Sequence, residues 1–384
     1  MVLVTPVGRY PRKLGLCNKS SSQDCVYMIR RGTALQAERE VVRHCYSGLD
    51  VSGVQGQVLQ ALRHLMPIDA AFFATADPDT LLISGGYAEE PLAAATGLFL
   101  ANEYGSDDVN TFRSLATSTT HVASLDDATG HDRASSPRSR DIMGPLGLGD
   151  ELRAALVVND RCWGYLCLHR DSEPLGFSSP EAAVLARLGP HIAHALRQAI
   201  LLHHPVKTAG IVTPGVVLLA ADLSLVAITA EAEYLLSLID GVQSAKSPLP
   251  VAVYTVAAAL GSLCSTTVPA STPPSARVRT KDGGWLNLHA SHLQEADGEG
   301  RIAVVVEPVR AGATVSLLLL AYGLSTREGE VAQLVLRGAS TGAIVDTLHI
   351  SHYTVQDHLK RVFDKTGVRS RRELVGRLLG PASP

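Results

Sequence analysis

The chain has 384 residues, 46% of them hydrophobic, and a formal net charge of −3 at pH 7. That is enough apolar material for about two to four packed domains, which excludes a disordered chain. No apolar run approaches the roughly 18 residues that a membrane span needs, and the first residues lack the charged start, apolar middle and small-residue cleavage site of a secretory signal. A cytoplasmic location without a membrane partner is therefore expected.

Six cysteines stand at positions 17, 25, 45, 162, 167 and 264. None forms a CxxC pair and none stands with histidine at zinc-ligand spacing, so no metal, no cofactor and no disulfide framework is expected. Reduced, buried thiols are the default. A redox-sensing role for Cys162 or Cys167 is the alternative, although residues five apart in one strand point to opposite faces, which argues against their pairing.

Residues 1–33, with the run Lys19 to Gln23, are polar and without period and read as a flexible tail. A helix is expected from Ala34 to Tyr46, stopped at Gly48. Val54 to Met66 is amphipathic, with Val58, Leu62 and Leu65 on one face. Ala70–Thr75 and Leu81–Ser84 read as strands around the turn residues Asp77 to Asp79. An irregular middle, about Gly97 to Asp150, holds Tyr104, Asp107, Asp108, Asn110, Phe112, His121, His131 and Arg140. Ala154–Val158 and Cys162–His169 then form a hairpin around Asn159, Asp160 and Arg161. Trp163, Tyr165 and Cys167 alternate with Gly164, Leu166 and Leu168, so both faces are apolar and both need cover. One cover is the helix opening at Ser179-Pro180-Glu181, with proline in its first turn.

This arrangement, above all ELRAALVVNDRCWGYLCLHRDSEPLGFSSPEAAVLARLGPHIAHAL, resembles a GAF domain, here spanning 34–203 with its flanking helices. The resemblance implies a sensory module with a pocket between the sheet and the irregular middle. Tyr104, Asn110, Phe112, Trp163 and Tyr165 are the candidate lining residues and an unidentified small molecule the effector. Ordinary solvated loop positions are the competing reading for the polar ones. Leu185, Leu188, Ile192, Ala195, Ala199 and Leu202 alternate in steps of three and four, as in a short coiled-coil seam through which a homodimer could form. The same stripe could instead pack on its own sheet, since Gly189-Pro190 interrupts the helix and the run is short.

Residues 204–310 read as a second module. Val216–Ala220 and Ser224–Ile228 form a hairpin, and a helix capped by Thr229 runs to Ile239. Ala276–Thr280 and Trp285–Leu293 flank Asp282-Gly283, and Arg301–Val309 adds a strand. This order resembles a PAS domain, although the helix expected between its halves falls in the weakly patterned stretch Val251 to Cys264. The loop Thr266 to Ser275 reads as exposed.

After a linker at 311–322, residues 323–380 read as four short helices. The first spans Thr326–Arg337, capped by Ser325 or Thr326 and stopped by Gly338; the second begins at Ser340. Leu348 to Ser351 is a connection of helix-turn-helix length. The third helix, about His352–Thr366, buries Val355, Leu359, Val362 and Phe363 and leaves Tyr353, Gln356, Asp357 and Lys360 on one polar face. Gly367 ends it, and Ser370 caps the fourth. From residue 323 onward nine Lys or Arg face six Asp or Glu, a net of +3, against −6 for the preceding 322 residues. Six of the nine, Lys360, Arg361, Lys365, Arg369, Arg371 and Arg372, fall within 13 residues, a pattern suited to phosphates.

The stretch resembles the C-terminal domain of LuxR-type transcriptional regulators through Leu324, Ser325, Arg327, Glu328, Glu330, Val331, Gly338, Ser340, Ile344, Leu348, Ile350, Ser351, Thr354, Val355, His358 and Gly367 to Arg371. The resemblance implies binding to double-stranded DNA, with Gln356, Asp357 and Lys360 reading bases and Tyr353, Thr354 and Arg361 holding phosphates. Gln356 where lysine is frequent, the acidic Asp357, and Ala343 in place of a common glutamate bear on affinity and sequence preference.

The fold class expected is therefore multidomain α+β: GAF-like and PAS-like antiparallel sheets flanked by helices, followed by an all-α four-helix helix-turn-helix domain. The expected function is a dimeric, signal-modulated DNA-binding regulator. The alternative is a protein-interaction module whose helix-turn-helix docks a partner regulator. There is no GxSxG, no phosphate-cradling glycine loop and no paired catalytic carboxylates, so an enzyme is not expected. No alternating strand-helix pattern of a phosphoacceptor domain precedes the DNA-binding part.

Overall fold

The computed structural model describes residues 34–171, 176–201, 213–239, 248–264, 273–293, 300–309 and 311–379. The expected tail, 1–33, and most of the loop Thr266 to Ser275 lie outside them.

Helices α1 (34–45) and α2 (Val51–Arg63) lead into the first sheet, and Asp50 caps α2 by accepting from the Gly53 amide. Next come β1 (Ala70–Ala76), β2 (Ile83–Ala88), α3 (Thr96–Gly105), α4 (Phe112–Thr117), β3 (Val122–Ser124) and α5 (Leu125–Ala128). β4 (Leu148–Val158), β5 (Arg161–Asp171) and α6 (Ser179–Ala199) complete the module. The strands pair antiparallel in the order β2-β1-β5-β4-β3. Asn159 and Asp160 turn the β4–β5 hairpin at φ 52 and 56, a left-handed conformation that Asn and Asp tolerate best among side-chain-bearing residues. At Gly164 a Cβ would collide with the Ala74 carbonyl oxygen of β1 and the Leu196 side chain of α6, so glycine is required where the layers meet.

One face of this sheet is covered by α2 and α6. Val58 and Leu62 pack with Leu185, Leu188 and Ile192 over Phe73, Leu152 and Leu166. Leu185, Leu188, Ile192, Ala195 and Ala199 are each at most 2% exposed, so the expected coiled-coil seam is buried against its own sheet. Leu202 lies outside the described residues. That packing also carries α6 unbroken through Pro190, despite the missing amide donor.

The middle expected to be irregular holds α3, α4, β3 and α5. Its helices were illegible because α3 buries the polar Asn102 and Glu103 beside Leu100, which removes the apolar period.

The second sheet is formed by β6 (Gly215–Leu219), β7 (Leu225–Ile228), β8 (Ser275–Arg279), β9 (Trp285–Leu293) and β10 (Arg301–Pro308). Its order, β7-β6-β10-β9-β8, repeats that of the first sheet, and all its pairs are antiparallel. Between its halves lie α7 (Ala230–Ser237), capped by Thr229, and α8 (Val251–Cys264). α8 occupies the weakly patterned stretch. From Ala252 to Leu260 it is apolar and buried on all sides, Thr255 included, so no single face announces itself in the sequence. It bridges the modules: Ala252, Val256 and Leu260 share one core with Ile83 and Leu100 of the first and Leu288 and Val304 of the second. Arg277 of β8 adds a bidentate ion pair to the buried Asp77 at 2.6 and 2.7 Å and reaches Asp79 at 2.6 Å.

The stretch expected as a linker contains helix α9 (Val315–Ala321), and its two sides belong to different cores. Leu317 and Ala321 pack into the first module, whereas Val315 and Leu319 pack under the C-terminal helices α10 (Thr326–Leu336), α11 (Thr341–Leu348), α12 (His352–Thr366) and α13 (Arg371–Leu379). Leu317→Ala should cost about 2–5 kcal/mol by chemical denaturation, the usual range for a buried leucine. Limited proteolysis should then cut ahead of Thr326 faster than in the unaltered chain.

Candidate nucleic-acid interface and the buried polar cluster of the first module

The recognition surface is built from caps. Ser325 and Glu328 form a reciprocal capping box at the start of α10. Ser340 caps α11, which ends on His349 in the left-handed conformation (φ 52), and Ser351 then accepts from the Thr354 amide at 3.1 Å to start α12. Gly367, at φ 67, closes α12. The turn between α11 and α12 is fixed by Arg327, which pairs with Glu330 at 2.6 Å and donates to the Leu348 carbonyl.

Val355, Leu359 and Val362 of α12 are buried and Phe363 is partly buried, as their spacing requires. Tyr353, Gln356, Lys360 and Arg361 are exposed, Tyr353 by 84%. Thr354 is half-buried, its hydroxyl 2.8 Å from that of Ser351. Asp357 pairs with Arg361 at 2.9 Å, so a residue expected to read bases is tied to one expected to hold a phosphate. The six clustered cations divide. Lys365 bonds Glu328 at 2.7 Å and the Gly323 carbonyl at 3.0 Å; Arg371 donates to the Ala339 carbonyl and the Thr341 hydroxyl, both at 2.8 Å. Those two hold the domain together, and Lys360, Arg361, Arg369 and Arg372 remain at the exposed surface.

Burial works to raise the Glu328 carboxyl, but the Lys365 ammonium and the Ser325 amide outweigh it and hold the group below its ordinary 4.5. A depressed carboxylate contributes stability above its unfolded pKa and loses it as pH falls through the folded value. Glu328→Gln should therefore destabilise the four-helix unit at neutral pH by about 1–3 kcal/mol and reduce its loss of stability below about pH 4.5, followed by thermal unfolding across pH.

In the first module the register changes between Leu156 and Val157: Gly164 pairs with Leu156 but Cys162 with Val157, leaving Trp163 as an extra residue. This bulge inverts the alternation. Trp163 joins the face covered by α2 and α6, whereas Cys162, Tyr165 and Cys167 share the opposite one. Trp163 is thus removed from the expected pocket, and Cys162 and Cys167 lie on one face instead of two. Their thiols still have separate partners, the Gly164 carbonyl for Cys162 and Glu151 for Cys167.

Of the other expected pocket residues, Tyr104, Asn110 and Tyr165 fill space and line neither cavity described below, and Phe112 borders only a small void. Phe112 stacks on Tyr165 at 4.5 Å, Tyr165 donates to the Leu81 carbonyl at 2.8 Å, and Asn110 donates to the Ser124 carbonyl at 3.1 Å. Tyr104 packs against the same core, and burial pushes its phenol far up.

Beside them lies a buried polar cluster that the sequence did not reveal. Arg138, fully buried, donates to Glu151 at 3.0 Å, to Asn102 at 3.3 Å and to the Val109 carbonyl at 3.1 Å, and lies 3.5 Å from Asp108. Arg153 donates to Glu103 at 2.6 Å, and its guanidinium lies 4.5 Å over the Phe112 ring. Burial pushes Glu151 upward, but Arg138 and then Arg153 overcome this and hold it well below the ordinary range; for Glu103 burial wins and the carboxyl is raised. Burial lowers His169 to about 4. Arg153→Met should cost about 3–5 kcal/mol in urea unfolding, because Glu103 and Glu151 would lose a buried counter-charge.

One cavity adjoins these groups and a second lies apart from them. A void of about 40 Å³ is lined by Phe99, Glu103, Phe112, Arg153, Cys167 and His169 among others. A larger cleft, about 480 Å³, lies between the modules and is bounded by Gln55, Tyr87, Ile200, Arg279, Trp285 and Leu317.

The family model of bacterial regulatory proteins of the LuxR family matches residues 323–378. These helices are a LuxR-family domain. The GAF domain model matches residues 51–196, so the LuxR-family domain follows a GAF domain. A monoamine regulon transcriptional regulator of Klebsiella aerogenes is 43% identical over 60 residues, which is 16% of this chain. The match spans only 26% of that regulator's length. Among solved structures, the phycoerythrobilin-bound GAF domain of a cyanobacterial phytochrome is 19% identical, with a TM-score of 0.32, covering 44% of this chain and 97% of that one. The VqsR LBD domain from Pseudomonas aeruginosa is 16% identical, with a TM-score of 0.30, covering 47% and 99%.

Proposed function

We propose that the chain is a sequence-specific DNA-binding transcriptional regulator whose operator affinity is set by a signal received in the region ahead of its LuxR-family domain. The observation that carries this reading is the division of α12: an apolar stripe packed into the domain core, and a polar side with Lys360 and Arg361 left in solvent. Such a helix fits the major groove. Gln356, Asp357 and Lys360 are assigned to base edges, and Tyr353, Thr354 and Arg361 to phosphates. One recognition helix covers one half-site, so we take the bound form to be a homodimer on two half-sites. The α6 stripe is buried and does not supply its interface.

The α9 arrangement supports control from a distance. Leu317 borders the 480 Å³ cleft between the modules, while Leu319 of the same helix lies in the core beneath α12. A small-molecule effector filling that cleft would bear on the support of the recognition helix, and a bias of a few kcal/mol between two settings suffices to change occupancy. We place the regulator in the cytoplasm and assign it no enzymatic activity.

Mobility shift and salt titration with a captured genomic fragment test the reading. Lys360→Ala should weaken binding and reduce the slope of log affinity against log salt by about one. Asp357→Asn, which frees Arg361 and removes an acid from the base-reading face, should tighten non-specific binding and steepen that slope while relaxing sequence preference. Salt-insensitive association, with neither variant differing from the unaltered chain, would instead favour docking to a partner regulator.

A further inference from the structure

We propose that Glu151, Cys167 and His169 form a binding site for one divalent transition-metal ion of the borderline class, such as zinc or ferrous iron. This inference stands on its own geometry and does not depend on DNA binding. The Cys167 Sγ lies 3.2 Å from Glu151 Oε2 and 3.1 Å from His169 Nε2, and those two atoms are 3.8 Å apart. An ion set slightly out of the plane of this triangle is about 2.0–2.3 Å from all three, the range for oxygen, nitrogen and sulfur ligands of zinc. One thiolate, one imidazole and one carboxylate form a donor set suited to that class of metal.

Three surrounding features support a site. The other carboxylate oxygen, Glu151 Oε1, is held by Arg138 at 2.9 Å and lies 2.8 Å from Arg153 Nε, which orients Oε2 toward the triangle. All three candidate ligands are at most 2% exposed, so an ion there would be shielded from solvent. The 40 Å³ void lined by Cys167 and His169 can hold a water-sized fourth ligand.

Charge points the same way. The buried cluster sets three carboxyl groups, Asp108, Glu103 and Glu151, against two guanidiniums, Arg138 and Arg153, a formal charge of −1 when Glu103, whose carboxyl burial raises, is ionised beside Arg153. A dication entering as the Cys167 thiol gives its proton to solvent adds two positive charges and one negative, and brings the formal sum to zero.

Sequence spacing missed the site because only Cys167 and His169 are neighbours; Glu151 arrives across the β4–β5 ladder, directly opposite His169.

The test uses the full chain, purified, stripped with a chelator and titrated with cobalt(II). Metal analysis should give one ion per chain, and the cobalt form should show a thiolate-to-cobalt charge-transfer band in the near ultraviolet. Cys167→Ser should lose that band and His169→Gln should weaken metal binding at least tenfold, while Cys162→Ser should leave both unchanged. Absence of a charge-transfer band in the unaltered chain, or its persistence in folded Cys167→Ser, overturns the proposal. Should both ligand variants fail to fold, X-ray absorption of the unaltered zinc form decides: one sulfur with nitrogen and oxygen neighbours supports the site, and no sulfur or several sulfurs overturn it.

Discussion

The burial of one stripe of α12 constrains everything that the C-terminal domain can do. Val355, Leu359 and Val362 are at most 3% exposed, and with that stripe fixed the helix has no freedom to choose which residues meet solvent. Tyr353, Gln356, Lys360 and Arg361 are turned outward by the same geometry. The caps refine this. Ser351 sets where α12 begins, and Arg327 and Arg371 clamp the turns on either side of α11. Basic residues here thus serve two ends, and charge alone does not say which. Lys365 and Arg371 are structural despite sitting within the most basic run of the chain.

Helix α9 extends that constraint to the rest of the molecule. A flexible linker would let the LuxR-family domain move without regard to the GAF domain. A helix with Leu317 in one core and Leu319 in the other does not. Close-packed cores shift between discrete arrangements instead of deforming smoothly, so a change at the cleft beside Leu317 has a physical route to the support of α12. The shared core through α8 and the Arg277–Asp77 pair make the two modules one mechanical body on the input side of that route.

Legibility in the sequence followed periodicity. The C-terminal helices, the β4–β5 hairpin and the strands of the second sheet could be read directly, because their apolar residues fall at helical or alternating spacing with caps and turn residues between them. α8 could not, since a helix buried on all sides shows no period; α3 could not, because it buries Asn102 and Glu103. The bulge at Trp163 adds one residue to β5 and reverses every facing assignment before it, which sent Trp163 to the wrong side and separated two cysteines that share a face. The polar cluster around Arg138 was invisible for another reason. Its members come from α3, the segment between α3 and α4, the segment before β4, and both hairpin strands, and only the fold brings them together.

The central claim is that the outer face of α12 meets DNA in the intact chain. Hydroxyl-radical footprinting of the protein, with and without a saturating operator fragment, measures it directly through Tyr353, the most exposed large side chain of that helix. If α12 lies against the duplex, oxidation of Tyr353 is strongly suppressed in the complex while exposed Tyr46 and Tyr234 stay reactive. Oxidation of Tyr353 at the same rate in the bound and free protein would contradict it.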